Sequence, residues 1–135
     1  MRWKIKNREE LLSYGCRQSR RVVLDITDSV LKELDAYGRI RSILKCEGNL
    51  LKIGERCWDL SKKRHVYLIG AGKACNAMAM AVEDALGDRL TDGIAVVKIL
   101  EPEDRFVRTR VRIGGHPIPN QDGYEACLEI LDLID

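Results

Sequence analysis

The stretch His65-Val-Tyr-Leu-Ile-Gly-Ala-Gly-Lys-Ala74 decides the fold of this chain and carries its first candidate site. Four apolar residues run directly into two glycines and a lysine, and an alanine-rich helical pattern follows; this order predicts a buried strand, a tight turn and a helix start. A helix start presents unpaired N–H groups with partial positive charge, and glycines let a ligand approach that backbone closely. Because the lysine adds a full positive charge, we predict that the turn binds a phosphate or a carboxylate. The residues predicted to bind it are Gly70, Ala71, Gly72 and Lys73.

The glycine turn departs from two widespread phosphate-binding patterns. A P-loop requires Ser or Thr after Gly-Lys, where this chain has Ala74, and a dinucleotide fingerprint requires a third glycine where it has Cys75. A purely structural turn is therefore also possible, in which the glycines let the helix pack closely on the strand and Lys73 is solvated. Cys75, in the first turn of the predicted helix, is either a thiol of lowered pKa or a small buried side chain.

A second candidate turn is Gly115-His-Pro-Ile-Pro-Asn120, in which two prolines fix the backbone on either side of the isoleucine. His116 is predicted either to donate a hydrogen bond to a substrate and act as an acid or base near neutral pH, or to serve as a hydrogen-bonded strut of a rigid turn. His65 is predicted to be structural. No residues have the spacing of a metal site, so we predict no metal ligands.

The composition limits the classes of function. The chain has 135 residues, of which 45% are hydrophobic and 33% charged, and this predicts one globular domain with a core. The net charge of +2 gives no reason to expect a nucleic acid or a membrane as a partner. No apolar run approaches the roughly 20 residues of a transmembrane helix, and no signal-peptide pattern is present. Five scattered cysteines without Cys-x-x-Cys spacing predict reduced thiols and a cytoplasmic location.

The hydrophobic pattern alternates between helix and strand. Helices are predicted over residues 8–37, in two pieces around Gly15, and over residues 73–86 and 120–134, with Asn120 as an N-cap. Strands are predicted over residues 50–53, 56–60, 66–69, 94–99 and 107–113, the first two as a hairpin. The apolar face of the first helical region consists of Val22, Val23, Ile26, Val30, Leu31 and Leu34. That of the helix after the glycine turn consists of Ala74, Ala77, Met78, Ala81, Val82 and Ala85.

This alternation predicts an α/β fold with a mostly parallel sheet and flanking helices, in a single domain without an internal linker. Ligands of such sheets bind beyond the carboxyl ends of the strands. Since both candidate turns follow predicted strands, we predict that they border one crevice.

Taken together, the two turns resemble a known family. Ile69-Gly-Ala-Gly-Lys-Ala74 and Gly115-His-Pro-Ile-Pro119, with similar segments at residues 77–79, 85–89 and 93–98 between them, resemble the N-terminal domain of glycerate 2-kinases of the MOFRL type. The resemblance covers roughly residues 20–134. One departure is the segment Lys98-Ile-Leu-Glu-Pro102, where many members have Lys-Tyr-Gly-His. Another is Cys75-Asn76, which replaces a common alanine pair.

The resemblance implies a Rossmann-like N-terminal part of a two-domain kinase with its active site between the domains. It implies ATP-dependent phosphorylation of D-glycerate to 2-phosphoglycerate with Mg²⁺. Lys73 matches a catalytic lysine that contacts the substrate or the transferring phosphate, and His116 would shape the same pocket. The family continues beyond the position of Asp135 into a C-terminal domain, so we expect residues 1–135 to be inactive alone and to pair with that domain or with a second copy.

Two other functions stay open from the sequence. The first is a non-catalytic remnant that binds an anion or a partner protein through the same turn. The second is a reductase of the hydroxypyruvate type, a label that some members of this family carry. The incomplete nucleotide fingerprint counts against the reductase.

Overall fold

A computed structural model describes residues 4–135, and the chain divides into two compact units, Met1–Asp35 and Ala36–Asp135. No linker composition marks this boundary, and the sequence did not predict it. The described part of the first unit contains helices α1 (Arg8–Leu12) and α2 (Arg17–Glu33). The prediction of two helical pieces around Gly15 is confirmed, and Gly15 has a φ of +68°, a conformation that favours glycine.

The predicted apolar face of α2 is helical but lies in solvent. Its six side chains are between 43% exposed, at Leu31, and 71% exposed, at Leu34, whereas Leu24 and Asp28 are the buried residues of this helix. The apolar face read from the helical spacing is therefore not the face of α2 that is buried in the described chain. Asp28 is instead the acceptor of a backbone hydrogen bond from the Lys4 N–H at 2.6 Å, and it pairs with Lys32 at 2.5 Å.

The second unit begins with helix α3 (Ala36–Ile43) and a three-stranded antiparallel sheet. The strands are β1 (Leu44–Glu47), β2 (Leu50–Ile53) and β3 (Arg56–Asp59), and they pair in sequence order. The hairpin of β2 and β3 confirms the prediction. The sequence missed β1, a four-residue strand in which only Leu44 is buried, because so short a strand has too little alternation to recognise.

A parallel sheet follows, formed by β4 (Tyr67–Ala71), β5 (Asp92–Val97) and β6 (Thr109–Ile113) in that order. Both pairings are parallel, which confirms the predicted α/β class and the parallel sheet. The central strand β5 forms the core. On β4, which lies at the edge, Tyr67 and Ile69 are exposed, so the prediction of a fully buried strand is wrong.

Helix α4 (Cys75–Leu86) links β4 to β5, and helix α5 (Gln121–Ile134) follows β6. The α4 face that packs on the sheet differs from the predicted one, because Met78 is exposed and Ala74 precedes the helix. Its buried residues are Cys75, Asn76, Ala79, Ala81, Glu83 and Leu86. The helix ends at Gly87, and Asn120 caps α5 by accepting a hydrogen bond from the Gly123 N–H at 3.0 Å, both as predicted. None of the helices among residues 4–135 has the length and apolar character needed to cross a membrane.

Candidate functional site

The two candidate turns meet at the carboxyl end of the central strand β5. The Gly72 N–H donates to the Val96 carbonyl at 3.0 Å, and the Gly114 N–H donates to the Val97 carbonyl at 2.9 Å. The last two residues of β5 therefore hold the turn after β4 on one side and the turn after β6 on the other. The prediction that both turns border one crevice is confirmed.

A small pocket of about 180 Å³ lies between the two turns. Its lining residues are Ala71, Gly72, Val96, Val97, Lys98, Gly114, Gly115 and His116. Three of the predicted site residues, from both turns, are thus brought together in this pocket, which we call the smaller pocket. Pockets for drug-sized ligands measure roughly 300–1,000 Å³, so this one accommodates only a small ligand.

Lys73 lies in a neighbouring pocket of about 490 Å³, which we call the larger pocket. The lining residues of the larger pocket are Lys73, Ala74, Asn76, Ala77, Met80, Lys98, Ile99, Glu101, Glu103 and Asp104. The structure therefore separates Lys73 from His116, and Lys98 lines both pockets. The sequence did not identify Lys98 as a site residue. The available signal was its position directly after the apolar strand β5, where ligands of parallel sheets bind.

The glycine turn places two kinds of backbone N–H group at the site. The Gly72 N–H is bonded to the Val96 carbonyl of the sheet, so it is not available to a ligand, although the sequence suggested that the N–H groups near Gly72 bind an anion. The φ of Gly72 is +117°, a conformation that favours glycine. In the first turn of α4, by contrast, the N–H groups of Asn76 and Ala77 have no acceptor within the described part of the chain. Both residues line the larger pocket, so the helix start faces this pocket with donors and partial positive charge.

Gly70 lines neither pocket and serves the packing of strand on helix. A Cβ atom at this position would lie 2.6 Å from the Sγ of Cys75, which is closer than real Cβ atoms come. Burial raises the pKa of the Cys75 thiol, so the alternative of a lowered pKa is wrong and the small buried side chain is the correct interpretation. His65 stacks on Tyr67 with ring centroids 5.6 Å apart, consistent with the predicted structural role.

Within residues 4–135 the two lysines of the site form no ion pair, whereas the arginines on and before β6 do. Neither Lys73 nor Lys98 has a carboxylate oxygen within 4.0 Å among residues 4–135, although three acidic residues line the larger pocket. Arg105, Arg108 and Arg112, by comparison, pair with Asp84, Asp88 and Glu129. The positive charge of both lysines is therefore available to an anionic ligand.

The loop that lines the larger pocket is fastened to α4 by Asn76. The Asn76 side-chain amide donates to the Ile99 carbonyl at 3.0 Å and to the carboxylate of Asp104, which also accepts from the Glu101 N–H at 2.8 Å. Asn76 is buried, and its role was missed because a lone polar residue in an alanine-rich helix carries no sign of a partner more than 20 residues away.

Asp84 fastens the same loop further along. The Arg105 guanidinium donates two hydrogen bonds of 2.8 Å to the Asp84 carboxylate, and the Tyr37 hydroxyl donates a third at 2.6 Å. These contacts, from Arg105 first and then from Tyr37, lower the pKa of Asp84 to about 2. The loop between Lys98 and Arg105 is thus held at both ends, which keeps the wall of the larger pocket in place.

The second turn is tight and is closed by Asn120. The Gly115 N–H donates to the Asn120 Oδ1 atom at 2.7 Å, and a Cβ atom on Gly115 would lie 2.3 Å from the Ile118 carbonyl oxygen. The His116–Pro117 peptide bond is cis. The strut hypothesis requires a hydrogen bond from the His116 ring, and none is formed within residues 4–135; His116 is exposed and lines the smaller pocket.

Comparisons with known proteins identify the family of this chain. Residues 22–135 match the family described as a domain of unknown function, DUF4147. A glycerate 2-kinase of Pyrococcus horikoshii is 28% identical over 116 residues, which cover 86% of this chain and 25% of the relative. A D-glycerate 2-kinase of Thermotoga maritima is 30% identical over 70 residues, which cover 52% of this chain and 17% of the relative.

Among solved structures, the PH0495 protein from Pyrococcus horikoshii OT3 superposes with a TM-score of 0.67 at 30% identity, over 84% of this chain and 26% of that protein. The chain spans about a quarter or less of the length of these relatives. The match to the family covers most of the chain and includes both turns. The chain therefore belongs to the family described as DUF4147, and the curated relatives it resembles are named as glycerate 2-kinases.

Proposed function

We propose that this chain contributes the anion-binding half of a glycerate 2-kinase active site, in which ATP phosphorylates D-glycerate to 2-phosphoglycerate. The observation that carries the proposal is the meeting of two turns at the carboxyl end of β5, next to Lys73 and Lys98, which form no ion pair within residues 4–135. Phosphoryl transfer depends chiefly on positioning and on cations that stabilise the negative charge of the transferring group. This site supplies both.

The two pockets support a division of the substrates. The smaller pocket, of about 180 Å³, suits a three-carbon acid, whose hydroxyl or carboxylate would accept a hydrogen bond from His116. The larger pocket, of about 490 Å³, suits phosphate groups, which Lys73 and the unpaired N–H groups of Asn76 and Ala77 would bind. Lys73 is the proposed catalytic residue, because its charge would stabilise the phosphoryl oxygens during transfer.

The proposed cofactors are ATP, which supplies the phosphoryl group, and Mg²⁺. The lysines and helix N–H groups fit the phosphate part of a nucleotide. In phosphoryl-transfer sites Mg²⁺ is held by one or two carboxylates together with the phosphates. Residues 4–135 gather no group of three or more metal-ligating side chains, and the carboxylates that line the larger pocket are Glu101, Glu103 and Asp104.

Further parts of the proposal concern the fold, the location and the partner of the chain. We propose a Rossmann-like domain of a two-domain kinase in the cytoplasm, where the five free cysteines would stay reduced. The partner would be a C-terminal domain or a second copy of this chain. The exposed apolar face of α2, which includes Val23 and Ile26, supports a partner, since solvated apolar faces of this kind mark interaction surfaces.

Lys73→Ala in a two-domain enzyme that contains this chain tests the function. We expect kcat/KM for D-glycerate and ATP to fall at least about tenfold, the effect of losing one charge-assisted hydrogen bond in a site. Lys52→Ala is the matched control, because Lys52 is also exposed but lies on the antiparallel sheet outside both pockets. The 135-residue chain alone should release no ADP that depends on glycerate. Normal kinetics of Lys73→Ala would remove its role, and turnover by the chain alone would remove the need for a second domain.

A further inference from the structure

The residue that joins the two pockets is Lys98. It is the lining residue that both pockets have in common, whereas Lys73 lines only the larger one and His116 only the smaller one. On the basis of the proposed function, we propose that Lys98 binds the ligands of both pockets, and so stands where the acid and the phosphate meet.

The backbone on both sides of Lys98 is fixed. Val97, the residue before it, accepts a hydrogen bond from the Gly114 N–H at 2.9 Å. Ile99, the residue after it, accepts one from the buried side-chain amide of Asn76 at 3.0 Å. Lys98 therefore leaves the sheet from a short segment held by the second turn and by α4. Binding of a ligand would therefore have to order only the side chain of Lys98 and not the backbone that carries it.

Lys98 forms no ion pair within residues 4–135. No carboxylate among residues 4–135 lies within ion-pairing distance of it, even though Glu101 follows three residues later and lines the same pocket. A lysine ammonium has three donors and rotates freely about its long side chain, so one ammonium can serve two anionic groups at once. At the boundary of the two pockets, such a group would contact the substrate carboxylate or hydroxyl on one side and a phosphate oxygen on the other.

The proposal predicts a pattern that distinguishes the three side chains. Binding of inorganic phosphate and of D-glycerate to the 135-residue chain is measured separately by isothermal titration calorimetry. Lys73→Met should weaken the binding of phosphate but not of D-glycerate, and His116→Ala should weaken the binding of D-glycerate but not of phosphate. Lys98→Met should weaken the binding of both. Each loss of affinity should be about tenfold or more. Lys98→Arg should restore phosphate binding to within a few fold, because the charge is retained. Lys52→Met is the control that should change neither affinity.

Thermal unfolding of each variant separates a loss of binding from a loss of structure. Lys98 is exposed and has no partner in the described chain, so Lys98→Met should melt at the temperature of the parent protein. If the parent binds both probes and Lys98→Met binds both equally well, the inference about Lys98 is overturned and the proposed function stands. If Lys98→Met loses one probe only, its bridging role is overturned. If the parent binds neither probe, the proposed function falls together with the inference.

Discussion

Replacement of Asp84 by Asn tests the contact that fastens the loop of the larger pocket. Asp84 accepts two hydrogen bonds from Arg105 and one from Tyr37, and its pKa falls from an ordinary 3.8 to about 2. At 1.36 kcal/mol per unit this fall corresponds to about 2 kcal/mol of stability. The Arg105 side chain is 64% exposed, so solvent screening reduces the expected contribution to about 1 kcal/mol.

The direction of the pKa shift of Asp84 determines how its contribution to the free energy of unfolding depends on pH. Because the folded pKa of Asp84 is depressed, its contribution is complete above the ordinary pKa of 3.8 and is lost as the pH falls through the folded value of about 2. Urea unfolding of the parent and of Asp84→Asn should therefore differ by about 1 kcal/mol between pH 5 and pH 7, and by about half of that at pH 3.

Asp88→Asn is the matched control, since Asp88 pairs with Arg108 but is 96% exposed, and it should have no measurable effect. Equal free energies of unfolding for the parent and Asp84→Asn at pH 7 would refute the reasoning. So would a difference that stays the same at pH 3, because the contribution would then not come from the charge of the carboxylate.

Two further predictions concern the turns. Gly115→Ala should lower the free energy of unfolding by about 2–3 kcal/mol, because its Cβ would collide with a backbone carbonyl that cannot move aside. Gly48→Ala, whose Cβ would lie in open space, should cost only about 1 kcal/mol through its left-handed backbone, and equal losses would contradict the steric argument. Cys75 is buried and its pKa is raised, so it should react with a thiol reagent only after the chain unfolds. Cys16 is exposed and its pKa is lowered by its hydrogen bond with Ser19, so it should react in the native state. Mass spectrometry of the labelled protein shows which cysteine has reacted.

The sequence was sufficient for the features that depend on neighbouring residues. The glycine turn, the hairpin, the Asn120 cap and the parallel sheet all follow from short-range rules on apolar runs, turn residues and capping side chains. The crevice between the two turns could be predicted as well, because parallel strands bring their carboxyl ends to the same edge of the sheet. For the same reason Ala71, Gly72 and His116 were identified before the structure placed them together.

Features that depend on distant partners could not be predicted. Asn76 and Glu83 are polar residues on the buried face of α4, and they satisfy backbone groups more than 20 residues away, including the Ile99 carbonyl and the Arg108 N–H. Such partners are unknown until the loop path is known, so the apolar pattern of this helix suggested the wrong face. Lys98 was not identified as a site residue because it lies between the two turns only when β5 is the central strand. The apolar pattern of the individual strands does not determine their order in the sheet.

The central claim is that the two turns and Lys98 form one anion site at the carboxyl end of β5. The most direct measurement is a titration of the isotopically labelled chain with D-glycerate and with inorganic phosphate, followed by the backbone amide signals in NMR spectra. The account predicts that the signals of Asn76, Ala77, Lys98, Gly115 and His116 move and saturate, while those of the antiparallel sheet stay in place. Saturating shifts centred elsewhere, or no shifts with either anion, would contradict it.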